Sequence, residues 1–169
     1  MVIEMLKRRQ VLAALGAFFA SPQFLRAETY IDLEWADLLP TGETAIPPML
    51  QGLVDHNQTD LISQQPASNG VRTDWNGQIV RLPGFSVPIE YSGSGITAFI
   101  LVPFVGACVH VPPPPANQLV FVTTEIPYES NGLYEPVNVT GMFGTSSVVT
   151  QLAEIGYAIS ADRVVPYEE

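Results

Sequence analysis

The sequence predicts a mainly β fold, a small five-stranded barrel over residues 75–169 carried behind a short helical N-terminal extension. Three observations lead there. From Trp75 onward, apolar and polar residues alternate in runs of strand length separated by Gly, Pro, Asn and Ser clusters. The first run alternates to Leu82, is interrupted by Pro83-Gly84 and resumes alternation from Phe85, as one long bent strand would. A single short stretch of helical promise precedes the last run, which suits a small closed or partly closed barrel.

Residues 1–27 read as a signal peptide. Lys7-Arg8-Arg9 precede an apolar run from Val11 to Ala20 that is too short to span a bilayer, and Leu25-Arg26-Ala27 offers a cleavage site near Ala27. The pair Arg8-Arg9 followed by Gln10-Val11-Leu12 resembles a twin-arginine signal, which exports proteins already folded. A periplasmic product is expected. A lipid anchor would need a cysteine at the new N-terminus, and Cys108 lies far downstream, so no membrane anchor is expected after cleavage. One cysteine makes no internal disulfide, and an ordinary core must hold the domain.

From Glu28 onward the basic residues are Arg72, Arg81 and Arg163, against 16 carboxylates, for a net charge of −13. Nucleic acid is thereby an unsuitable partner, because phosphate binding depends on Lys and Arg. The carboxylates are scattered through the sequence and read as a soluble, secreted surface.

Residues 28–74 form the N-terminal extension. Trp35, Leu38 and Leu39, in the run ending at Pro40, are expected to clamp onto the main body. Ile46, Met49, Leu50, Leu53 and Val54 recur at helical spacing and predict one amphipathic helix over Pro47–Asp55. His56 follows among acidic and amide residues, where the helix dipole or solvent explains it better than a metal does. Residues 63–69 read as a flexible linker.

In the barrel region, Gln78–Tyr91 is the long bent first strand, and Ser92-Gly93-Ser94-Gly95 a hairpin turn. Ile96–Phe104 is nearly all apolar and is expected to be covered on both faces. Leu119–Thr123 and Pro136–Phe143 are the third and fourth strands, Ser147–Ile155 a short helix, and Tyr157–Val165 the fifth strand. An oligonucleotide/oligosaccharide-binding (OB) type of barrel fits this order, with the helix displaced to lie between strands four and five. The alternative is a two-sheet β-sandwich.

The chemistry concentrates in Gly106–Gln118. In an extended chain Cys108 and His110 face the same side about 6.6 Å apart, able to share a zinc ion or to form a thiol–imidazole pair. Zinc needs further donors, and a nucleophile would need an oxyanion hole and an orienting group, for which Asn117 or Gln118 would serve. The opposing reading makes Cys108 a small buried hydrophobe and His110 a backbone-bonded core residue. Pro112, Pro113, Pro114 and Pro115 should lock a polyproline lip that leaves carbonyls free for a ligand or partner, with Asn117 and Gln118 adding amide contacts or capping a turn. Nucleophile-elbow, phosphate-loop and H-E-x-x-H signatures are absent from the sequence.

The run from Trp75 to Glu90 and the run from Phe99 to Gln118, with its C-x-H-x-P-P-P-P-x-N-Q signature, resemble a family of exported proteobacterial proteins of unknown function. The resemblance covers roughly Trp75–Tyr167, and Trp35–Pro40 fits it as well. It implies an OB-like barrel in a periplasmic or lipoprotein setting, near ABC-type permeases of the lipoprotein-export kind and zinc-responsive gene clusters. The twin-arginine-like signal and the missing anchor cysteine depart from that setting.

The expected function is therefore a periplasmic binding or accessory module rather than an enzyme. It would engage zinc through Cys108 and His110, or a partner protein of an envelope transport system. The alternatives are a thiol-dependent enzyme or redox protein using Cys108 with His110, and a purely structural role for the stretch.

Overall fold

The computed structural model of the chain describes residues 29–42, 65–107 and 113–167. The expected signal peptide, the helix at 47–55, His56, and Cys108, His110 and Pro112 lie outside the described residues. Among the described residues six strands are formed: β1 (Ile31–Asp32), β2 (Ile79–Ser92), β3 (Gly95–Val102), β4 (Val120–Tyr128), β5 (Glu135–Val149) and β6 (Glu154–Pro166). In the described part of the N-terminal extension the helical structure amounts to a 3-10 turn, Trp35–Leu38.

The bent strand is what closes the barrel. Residues Ile79–Ser86 of β2 pair antiparallel with β5, and Phe85–Ser92 pair antiparallel with β3, so one strand serves two neighbours by turning a corner. The two pairings overlap at Phe85 and Ser86, directly after Pro83-Gly84. A Cβ on Gly84 would stand 2.9 Å from both Leu101 Cγ and the Val102 carbonyl oxygen, so only glycine lets β3 approach so closely. The remaining pairings are β3–β4 antiparallel, β4–β6 parallel and β6–β5 antiparallel. The ring β2-β3-β4-β6-β5 returns to β2 and is a closed five-stranded barrel, not the alternative sandwich, with β1 added outside it in parallel with β2.

The expected helix over Ser147–Ile155 is not formed. β5 continues to Val149 and β6 begins at Glu154, with Val148 opposite Ile155 and Val149 opposite Glu154. Between them Thr150 Oγ1 accepts the amides of Leu152 and Ala153, both at 3.1 Å, and closes a tight turn. Physically, the β-branched Thr145, Val148, Val149 and Thr150 favour a pleated ribbon once a partner strand is present.

Strand alternation sorts the core into two clusters. Inside the barrel, Val80, Leu82, Phe99, Leu101, Val120, Val122, Val139, Phe143 and Tyr157 are fully or almost fully buried. On the other face of β3, Ile100 and Val102 pack with Val87, Ala107, Leu119 and Ile155 in a second cluster. The double covering expected for the apolar second strand is therefore present, and all of Gly95–Val102 except Thr97 is buried. Each aliphatic side chain so buried contributes roughly 1.5–3 kcal/mol of transfer free energy.

Candidate functional site

The central stretch enters and leaves through the interior. Ala107 is fully buried, and its carbonyl accepts the Tyr134 hydroxyl at 2.7 Å. Tyr134 takes the left-handed conformation at φ 60, uncommon for a non-glycine residue, while its amide donates to the Ser86 carbonyl at 2.9 Å. On the far side Pro113 and Pro114 are buried and Pro115 is half-buried. Pro115, at φ −52 and ψ 152, has close to the expected polyproline geometry and leads into a 3-10 turn, Ala116–Gln118.

Two of the carbonyls expected to stay free along the prolines are engaged. Pro114 accepts Gln65 Nε2 at 2.9 Å and Pro115 accepts the Gln118 amide at 2.8 Å. Burial explains the difference, because a carbonyl withdrawn from water must find a donor. The two amide side chains are likewise turned inward. Asn117, 1% exposed, donates to the Gly70 carbonyl at 3.1 Å, and Gln118, 5% exposed, donates to the Trp35 and Asn117 carbonyls at 3.0 Å.

These contacts belong to a larger closure at one end of the barrel. The 3-10 turn Trp35–Leu38 presents carbonyls that three distant side chains claim: Gln118 takes that of Trp35, Arg72 that of Asp37, and Tyr157 that of Leu38 at 2.6 Å. The Tyr157 hydroxyl also accepts the Arg72 amide at 2.7 Å. Trp35 donates its indole N–H to Pro83 at the β2 corner, 2.8 Å away, so the apolar clamp read from the sequence is in place. Gln65 adds a reciprocal pair with the Glu154 backbone, 2.8 Å each way, at the start of β6. Beside it lies a shallow cavity of 320 Å³, lined by Gln65, Pro66, Ser68, Ala116 and Glu154. Sequence reasoning missed Gln65, Tyr134 and Tyr157. Tyr157 had one usable signal, a hydroxyl at the interior phase of a strand, where it must find a polar partner.

The other end of the barrel lies at the β2–β3 hairpin and the β4–β5 loop. A concavity of 170 Å³ lies between the β2–β3 hairpin and the β4–β5 loop, lined by Pro88, Tyr91, Ile96, Ser130 and Leu133 among others. The loop is clamped by Glu135, whose two carboxylate oxygens accept the Asn131 amide at 3.1 Å and its Nδ2 at 2.7 Å. Burial pushes the Glu135 carboxyl up, but the Asn131 hydrogen bonds, with the Ser130 and Tyr128 hydroxyls nearby, outweigh it and hold the group below its ordinary value. The neighbouring Tyr128 phenol is pushed up to about 12, first by burial and then by the Glu135 charge.

The depressed Glu135 value sets a direction. Its stabilisation is complete above the unfolded value of about 4.3 and is lost as pH falls through the lower folded value. The Asn131 side-chain amide resonances are expected to shift below that pH, before the barrel unfolds; resonances that stay fixed until global unfolding would contradict the clamp.

Among the described residues, no group of three His, Cys, Asp or Glu could hold a metal ion.

The comparisons agree with this architecture. No curated protein matches the chain. The crystal structure of a DUF3299 family protein from Pseudomonas aeruginosa PAO1 is similar to it with a TM-score of 0.74 and 36% identity, covering 83% of this chain and 98% of that one. The family model for DUF3299, described as a protein of unknown function, matches residues 35–166, from the Trp35 clamp to the end of β6. That span takes in the clamp, both core clusters apart from Leu33, and the closed barrel, and the chain belongs to the DUF3299 family.

Proposed function

We propose that the protein is an exported binding or accessory module built on an OB-type barrel, working in the periplasm on a partner protein, and that it is not a thiol enzyme. Counting only the barrel strands, the ring order is first-second-third-fifth-fourth, with the third and fifth parallel. OB barrels bind oligonucleotides and oligosaccharides on the face of their second and third strands. Here that outer face, with Ile100 and Val102, is covered by Ala107, Leu119 and Ile155 of the same chain. Together with a charge of −13 from Glu28 onward, this favours a protein partner over a nucleic acid.

The observation that carries the reading is the inward commitment of the central stretch. Asn117 and Gln118 hold the Gly70 and Trp35 carbonyls, and Pro114 is held by Gln65. The residues best suited to orient a Cys108–His110 pair are therefore occupied in closing the barrel end, and a thiol-transfer site loses its third group. A zinc link, suggested by the resemblance, rests on Cys108 and His110 alone.

Alkylation of Cys108 as a function of pH, with a parallel zinc titration, tests this. The expected thiol titrates near the ordinary value of about 8.5, and zinc affinity is equal in the native protein, Cys108→Ser and His110→Ala. A thiol that reacts rapidly at neutral pH and slows in His110→Ala would establish the enzyme reading instead. Zinc binding lost in both variants would establish the metal one.

A further inference from the structure

The barrel end at the β2–β3 hairpin and the β4–β5 loop carries a group of exposed apolar side chains. Tyr91 is 63% exposed at the end of β2, Ile126 is 78% exposed on β4, and Leu133 is 50% exposed in the β4–β5 loop. The pairing register brings together the strand ends that carry Tyr91 and Ile126. Tyr91 lies opposite Ile96, which lies opposite Tyr128, and Pro127, next to Ile126, packs against Gly95 of the hairpin. Tyr91 and Leu133 line the 170 Å³ concavity between them, room for one large side chain.

Exposed aromatic and aliphatic side chains gathered round a depression are the anatomy of a docking surface. Their electrostatic setting narrows the occupant. Glu90, Glu125 and Glu129 are exposed on the same segments, 88–96 and 125–135, and none of the three arginines beyond residue 27 falls on either. Glu135 is not counted with them, since Asn131 already holds both its oxygens.

We infer that this barrel end docks a basic segment of a partner protein, in which a large apolar residue seats between Tyr91 and Leu133 and flanking Lys or Arg residues face Glu90, Glu125 and Glu129. The inference rests on the binding-module reading and adds to it a surface and a class of partner. An acidic segment would meet uncompensated like charge, and a second copy of this chain would bring thirteen net negative charges of its own from Glu28 onward. Attraction of this kind is screened within about 10 Å at 0.1 M salt, so binding should weaken as salt rises.

The test selects peptides from a random 12-residue library on the purified protein and measures their affinities against a Tyr91→Ser/Leu133→Ser variant and a Glu90→Gln/Glu125→Gln/Glu129→Gln variant. All five positions are solvent-exposed, and circular dichroism checks that both variants remain folded. The expected peptides carry net positive charge and at least one large apolar residue. They bind at least tenfold more weakly to the first variant, and lose most of their salt dependence on the second. Enrichment of neutral or acidic peptides overturns the inference, as does affinity unchanged in Tyr91→Ser/Leu133→Ser; in both cases the binding-module reading survives with a different surface. Self-association abolished by the first variant overturns it in favour of a second copy. Failure to enrich any peptide overturns the inference and counts against the binding-module reading as well.

Discussion

Gly141→Ala is expected to lower stability by about 3 kcal/mol, read as a fall in the urea midpoint at unchanged slope. A Cβ at this position would overlap the Ser160 carbonyl oxygen and stand 2.7 Å from Ala161 Cα. Both are backbone atoms of β6, which is fixed on two sides: Ser160 and Ala161 pair with Thr123 and Thr124 of β4 as well as with Met142 and Gly141 of β5. Relief would require β5 to move away from β6 where the register already shifts, between Thr140 and Gly141. The neighbouring Gly144 is the control. A Cβ there meets nothing within 4 Å, so Gly144→Ala should change stability by about 0.5 kcal/mol or less. Equal effects at the two sites would mean that strand propensity, not the close approach, sets the cost.

How far the fold could be read in advance follows from which forces are local. Alternation within each run is local, and so the five barrel strands are legible in the sequence, including the long first one that serves two neighbours. Pairing order is not local. The parallel β4–β6 pair brings together residues 37 positions apart, such as Val120 and Tyr157, and no sequence period encodes it. The stretch from Ser147 to Ile155 shows the same limit from the other side: its spacing admits a short helix, and only the partner strand across the Thr150–Ala153 turn makes it a ribbon. The central stretch stands out in the sequence by its rare residue types, yet Asn117 and Gln118 act through carbonyls contributed by Gly70 and Trp35, 47 and 83 positions away. An amide that closes a barrel and an amide that contacts a ligand are the same letter in a sequence; the difference lies in burial, which depends on the whole chain.

Gln118→Glu separates these two roles with a single atom. Gln118 Nε2 donates to the Trp35 and Asn117 carbonyls at 3.0 Å from a position 5% exposed. An ionised carboxylate donates nothing, and it would face two carbonyl oxygens in a site shielded from water, so its folded-state pKa must rise. Below the unfolded value of about 4.3 the glutamate is neutral in both states and can still donate one O–H bond, and the variant should be only slightly less stable than the native protein at the same pH. Above 4.3 the unfolded chain releases the proton more readily than the folded one. The deficit then grows by about 1.4 kcal/mol per pH unit, until the folded group also ionises. By pH 7 a loss of about 3 kcal/mol is expected, with the Trp35 clamp as the first contact to loosen. Urea midpoints of the native and Gln118→Glu proteins between pH 4.5 and 7.5, with Trp35 fluorescence, check this. A pH-independent deficit of about 1 kcal/mol would instead mean that water reaches the site and that Gln118 is open to ligands.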